Sequence, residues 1–130
     1  MGLLSKILGG SKETEKTKTL PWIPLNILQQ LKYIEEQSSA KPQLIFKHST
    51  RCSVSRFVLN EFKSGYSFSE VDFTAYFLDL LRYREISNAV AQQFDVVHQS
   101  PQLLIIKNGK AVAHASHENV NKIKLTDFLN

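Results

Sequence analysis

The stretch Gln43-Leu44-Ile45-Phe46-Lys47-His48-Ser49-Thr50-Arg51-Cys52-Ser53-Val54-Ser55-Arg56-Phe57-Val58 decides the fold of this chain. Its opening, Gln43 to Lys47, is a short apolar run with the length and aromatic content of a buried strand. Its end changes period: Val54, Phe57, Val58 and Phe62 recur at helical spacing until Gly65 supplies a stop. His48 to Arg51 therefore form a strand-to-helix turn, and Cys52 falls where the helix begins.

Upstream, Pro21 to Pro24 punctuate the entry, and Leu25, Leu28, Leu31 and Ile34 share one helical face. This predicts a first helix over about residues 25–37, ended by Ser38-Ser39-Ala40. Downstream, a polar loop over Tyr66–Thr74 precedes a second buried strand, Ala75 to Leu80. Ile86, Ala89, Val90 and Phe94 then line a helix over 84–94. Leu103 to Ile106 form a third strand, which Asn108-Gly109 turns into a fourth, Ala111 to Ser116. Val120, Ile123, Phe128 and Leu129 are expected on a closing helix. Alternating strands and helices imply parallel strands with right-handed crossovers, and the final hairpin adds an antiparallel strand. The expected fold is α/β, a central mixed four-stranded sheet flanked by helices on both faces.

A chain of 130 residues, 42% hydrophobic and 22% charged, is the size of one domain with one core. Residues 1–20 read as an appendage to it. Leu3, Leu4, Ile7 and Leu8 sit at helical spacing, Gly9-Gly10 stop them, and Ser11 to Thr19 carry no apolar side chain, so a short apolar helix on a charged tether is expected there, with the domain over 21–130. That apolar stretch is too short for a membrane span or a secretory signal, and Lys6 stands where a myristoylation signal wants Ser or Thr, so a cytoplasmic location is expected. Gly65 and Gly109 cannot make a dinucleotide fingerprint or a phosphate loop. The net charge of +4 is divided evenly between residues 1–19 and the much longer remainder, where both signs mix without a basic stripe, which argues against nucleic acid as a partner.

Cys52 is the only cysteine, so the chain has neither an intramolecular disulfide nor a Cys-rich zinc site. A lone cysteine is most often a small buried hydrophobe. At a helix N-terminus, however, unpaired amides and the macrodipole favour a negative sulfur, and Arg51 and Arg56 add positive charge. Ser55, three residues on, stands where dithiol oxidoreductases keep their second cysteine; its plainer role is a local bond to the backbone. The site is thus a one-thiol version of Cys-x-x-Cys, which can take a cap from a mixed disulfide but needs an outside thiol to release it. Pro101, before a strongly apolar strand, marks a strand start or a special turn. His114 and His117 lack companion ligands and His48 is as readily a packing residue as a base, so no metal is assigned.

These residues resemble one known family, the monothiol bacilliredoxins, YtxJ-like proteins of the thioredoxin superfamily. The resemblance rests on Phe46 to Ser55, on Tyr76-Phe77-Leu78-Asp79-Leu80 with Ile86-Ser87, on Ser100-Pro101-Gln102 through Lys110, and on His114-Ala115-Ser116-His117. It spans about residues 22–130 and implies a thioredoxin-like fold. It implies that Cys52 is the nucleophile that removes bacillithiol, a cysteinyl-glucosamine-malate thiol, from mixed disulfides on client proteins, within an active-site turn of Thr50, Arg51, Ser53 and Ser55. It also implies that Pro101 is a cis-proline whose neighbour Ser100 meets the substrate. Bacillithiol enters as co-substrate, with no bound cofactor, and the partners are bacillithiolated clients and a separate thiol or reductase that recycles Cys52. Ser53 stands where the commoner family form has proline, and Arg51 replaces a small polar residue. A guanidinium there can pair with the malate carboxylates of bacillithiol. Two other readings are a binding module of the same fold without redox turnover, and a glutaredoxin-like carrier of an iron-sulfur cluster.

Overall fold

The computed structural model describes residues 20–130; the short helix and tether expected before them lie outside the described residues. The strands are β1 (Ile23–Pro24), β2 (Gln43–His48), β3 (Thr74–Asp79), β4 (Gln102–Lys107) and β5 (Lys110–Ser116). The helices are α1 (Gln29–Gln37), α2 (Ser53–Gly65) and α3 (Arg84–Phe94), and two 3₁₀ turns, His117–Lys122 and Leu125–Phe128, close the chain. The sheet order is β1-β3-β2-β4-β5.

The sheet has five strands rather than four. The extra one, β1, is a two-residue edge that pairs parallel to β3 with Ile23 opposite Tyr76, followed by a bond from the Leu25 amide to the Phe77 carbonyl at 2.8 Å. Proline is tolerated there because an edge strand leaves one side of its backbone unpaired. The first helix begins at Gln29, later than the spacing predicts, because the Gln30 side chain caps the preceding turn: its Oε1 accepts from the Asn26 and Ile27 amides at 2.8 and 2.9 Å.

The expectation of parallel strands holds for β2 and β3, which the unexpected β1 joins in the same direction, and fails at β4, which runs antiparallel to β2 with Lys47 opposite Gln102. Length explains the reversal. The eleven residues of α3 descend roughly 16 Å from the end of β3. Residues 95–101, able to span roughly 20 Å when extended, climb back along the helix, so β4 starts beside the end of β2. The β4–β5 hairpin turns at Asn108 and Gly109, with φ of 51° and 79°, the left-handed pair that suits strand twist.

Alternation along the strands divides the core. Ile45, Tyr76, Leu78, Leu104 and Ile106 meet α1 and α3 on one face. Leu44, Phe46, Ala75, Leu103 and Ile105 meet α2 and Val120 on the other. Leu20 is buried in this second layer, so packing begins one residue before the expected domain start. Each fully buried aliphatic or aromatic side chain contributes about 1.5–3 kcal/mol. The apolar face of α2 is shifted from its expected register: Ser55, Val58 and Phe62 are buried, whereas Val54 and Phe57 are exposed. The expected closing helix is instead two 3₁₀ turns, because Ile123 and Lys124 are extended and leave runs of six and four residues, too short to sustain an α-helix.

Candidate active site

The site lies where β2 and β3 end and β4 begins. Cys52 is the N-cap residue of α2, extended at φ −108° and ψ 121°, and half-buried. Its amide donates to the Ser49 carbonyl at 3.2 Å, and its carbonyl accepts the first helical bond, from the Arg56 amide at 3.1 Å. No side chain caps the helix, so the first-turn amides and the positive end of the dipole surround the residue that carries the thiol. Thr50 and Arg51 are exposed on the turn; the Arg56 guanidinium donates to the Thr50 carbonyl at 3.3 Å and ties the turn to the helix. Ser53 is exposed beside Cys52.

Ser55 is fully buried and points back under the turn. Its Oγ accepts from the Ser49 amide at 3.1 Å and lies 2.8 Å from Nδ1 of His48, itself 5% exposed. Burial pushes the His48 pKa down, the Asp79 carboxylate opposes this, and Arg56 and Lys63 push it further down. Burial favours the neutral imidazole, and His48 Nδ1 and the Ser55 hydroxyl share one hydrogen bond. Ser55 Oγ is thus bonded both to the Ser49 amide and to His48 Nδ1, so it bolts the first turn of α2 to the end of β2.

The Ser100-Pro101 peptide bond is cis. Pro101 is buried, and its carbonyl accepts from the His117 amide at 2.9 Å. Extending the β2–β4 register one step past Lys47 and Gln102 sets Pro101 across from His48, so the structure brings Ser100 and Pro101 to the same end of the sheet as the Cys52 turn. Three buried oxygens at this end, Ser100 Oγ, Asp79 Oδ1 and Gln102 Oε1, have no hydrogen-bond partner. Val54, Phe57, Leu81 and Val97 are exposed apolar side chains on the elements that converge here. His114 and His117 are exposed on β5 and just beyond it.

Sequence reasoning missed Lys47. It is the other polar residue at the end of β2 and is completely buried, on the α3 side of the sheet. Its Nζ donates to the Ser87 carbonyl at 3.3 Å and lies 3.2 Å from Nδ1 of His98, which in turn is 3.3 Å from Ser87 Oγ. Desolvation lowers the Lys47 pKa to about 8. Desolvation, and then the charges of Lys47 and Arg84, lower that of His98. Strand alternation held the available clue, since Lys47 shares a face with Ile45.

Comparison with solved structures fits this geometry. A protein described as having a thioredoxin fold is 26% identical, with a TM-score of 0.64 over 75% of this chain and 84% of that one. The thioredoxin of Malassezia sympodialis is 16% identical, with a TM-score of 0.64 over 80% of this chain and 87% of its own. The thioredoxin of Trypanosoma brucei brucei is 16% identical, with a TM-score of 0.63 over 82% and 89%. The fold is therefore thioredoxin-like. The family model of the monothiol bacilliredoxin BrxC matches residues 23–125, from β1 to the second 3₁₀ turn, and the chain belongs to that family.

Proposed function

We propose that this protein removes bacillithiol from protein mixed disulfides by thiol-disulfide exchange at Cys52, acting in the cytoplasm. Membership of a single-cysteine thiol oxidoreductase family supports the exchange chemistry. The observation that carries the reading is the position of Cys52, half-buried at the uncapped N-terminus of α2, at the end of the sheet where Pro101 also lies. Among the described residues, no helix is long and apolar enough to cross a membrane.

The Cys52 thiolate attacks the bacillithiol sulfur of the mixed disulfide, that disulfide breaks, and the client sulfur leaves as a thiolate that takes a proton from water. The helix N-terminus stabilises the attacking sulfur. One disulfide replaces another, so no electron carrier is involved. The product is a Cys52-bacillithiol disulfide, and Ser55, a hydroxyl already bonded to Ser49 and His48, cannot resolve it. A second bacillithiol or the thiol of a separate reductase attacks the adduct and frees Cys52. Arg51, exposed next to the sulfur, pairs with the malate carboxylates, and the backbone at Ser100 and Pro101 holds the extended client segment.

The test is intact mass of the full chain mixed with oxidised bacillithiol, and separately with oxidised glutathione, from about pH 5 to about pH 9, for wild type and Cys52→Ser. One added bacillithiol, faster than glutathione and absent in Cys52→Ser, is expected. No adduct, or equal rates with the two thiols, overturns the assignment.

A further inference from the structure

The unexplained feature beside the site is a lysine ammonium with no exposed surface and no carboxylate among its hydrogen-bond partners. Burying a cation costs several kcal/mol unless its donors are used, and an apolar residue would fill the slot more cheaply. Lys47 spends its donors across three elements: it sits on β2 and reaches the Ser87 carbonyl of α3 and the imidazole of His98, in the segment that climbs from α3 to β4. Two further bonds hold that segment. Ser87 Oγ meets His98 at 3.3 Å, and Gln102, opposite Lys47, donates from Nε2 to the Val97 carbonyl at 3.0 Å. All of this lies just before Ser100 and Pro101. Val96 is buried in the α3-side core and Pro101 is buried at the other end, but Val97 between them is 80% exposed, so the span from Val97 to Ser100 is held by polar contacts.

We propose that Lys47 is a positioning residue: through His98 it seats the Val97–Pro101 segment against the end of β2, and so sets the wall on which a client segment is bound beside Cys52. The client-binding part rests on the oxidoreductase reading above; the seating of the segment does not. A long flexible side chain with three donors fits this task, because it can reach a carbonyl on one element and a ring nitrogen on another. The consequence is a division of labour in which α2 presents the thiol and Lys47 presents the opposite wall.

The experiment uses the full chain with Lys47→Met, His98→Ala and His98→Gln. The probe is a short peptide whose one cysteine is disulfide-linked to bacillithiol. Lys47→Met and His98→Ala are expected to raise KM for the peptide about tenfold with kcat within about twofold, and iodoacetamide should alkylate Cys52 at a rate within about twofold of wild type. His98→Gln, whose amide oxygen can accept from Lys47, should return KM close to the wild-type value. The second readout is hydrogen exchange of the His117 amide, which donates to Pro101 and should exchange about fivefold faster in Lys47→Met and His98→Ala. His98 is only half-buried, so its variants keep the test open should Lys47→Met fail to fold. Unchanged His117 exchange in folded His98→Ala overturns the positioning role, as do equal losses in alkylation and peptide turnover. Wild type that never turns over the peptide removes the oxidoreductase reading, and the exchange measurement then decides the seating alone.

Discussion

Lys47 and His48 are consecutive residues of one strand, both buried and both polar, and they serve opposite faces of the sheet. His48 turns toward α2 and bonds Ser55 in the first turn behind Cys52. Lys47 turns toward α3 and holds His98 in the segment before Pro101. The pleat makes this inevitable, since neighbouring side chains leave a strand on opposite sides. The two networks differ in electrostatics: burial keeps His48 neutral and bonded to a hydroxyl, whereas Lys47 is a cation at neutral pH that accepts a high desolvation cost. One polar contact fixes the thiol turn and the other the facing wall, so damage to each should be separable.

The largest effect removes the reaction and spares both networks. Cys52→Ser should abolish adduct formation completely while leaving the unfolding midpoint close to wild type, because a half-buried N-cap position accepts serine well. A variant that still gains bacillithiol mass would place the chemistry elsewhere.

Next comes the linkage of Lys47. Its folded pKa of about 8 lies below the ordinary 10.5, so between these values the unfolded chain binds more protons than the folded one. Stability from this group therefore rises with pH across that window, by on the order of 2 kcal/mol between pH 8 and 9.5. Lys47→Met should lose the rise. Urea midpoints of wild type and variant, compared across that range, check it; parallel curves would mean that the ammonium is not desolvated. The range stops short of the tyrosines, since burial lifts Tyr66 to about 12 and raises Tyr76, which makes stability fall with pH at higher values.

On the other face, Ser55→Ala strips a buried hydroxyl and leaves both the Ser49 amide and His48 Nδ1 without a partner, at a cost of about 1–3 kcal/mol. Chemical denaturation reads the stability. If Ser55 is the bolt of the thiol turn, Cys52 alkylation should also slow in this variant, unlike in Lys47→Met. Equal behaviour of the two variants would erase the distinction between the two sides of β2.

The strand-to-helix turn, the cysteine at its end and the Asn108-Gly109 hairpin were legible because each is written in local residue order. The direction of β4 was not, because it depends on whether residues 95–101 climb back along α3, a question of three-dimensional length. Val54 and Phe57 misled the reading of α2, because spacing shows an apolar stripe without saying that its edge is exposed at a site. Lys47 stayed hidden for a related reason: its partners lie 40 and 51 residues away, and a lysine near a strand end normally reaches solvent. The role of Ser55 was half visible, since its bond to the Ser49 backbone is local, whereas its bond to His48 required β2 to end beneath α2.

The smallest expected effect concerns His48 itself. Its folded pKa is pushed below the ordinary 6.5, so as the pH falls through that value the unfolded chain protonates first and gains stability relative to the fold. The contribution is present above pH 6.5 and is lost progressively below it, until the folded imidazole also takes a proton. Asp79 moderates the loss, because its carboxylate favours the charged ring. His48→Asn keeps an acceptor within the reach of Ser55 and cannot titrate, so its stability should decline less than wild type as the pH is lowered from 6.5. His98 also has a lowered pKa and adds a similar acid limb, so the comparison belongs in a His98→Gln background, where one imidazole accounts for the difference. Identical acid limbs with and without His48 in that background would show that the ring is not held neutral by burial, and the contrast between the two sides of β2 would then rest on Lys47 alone.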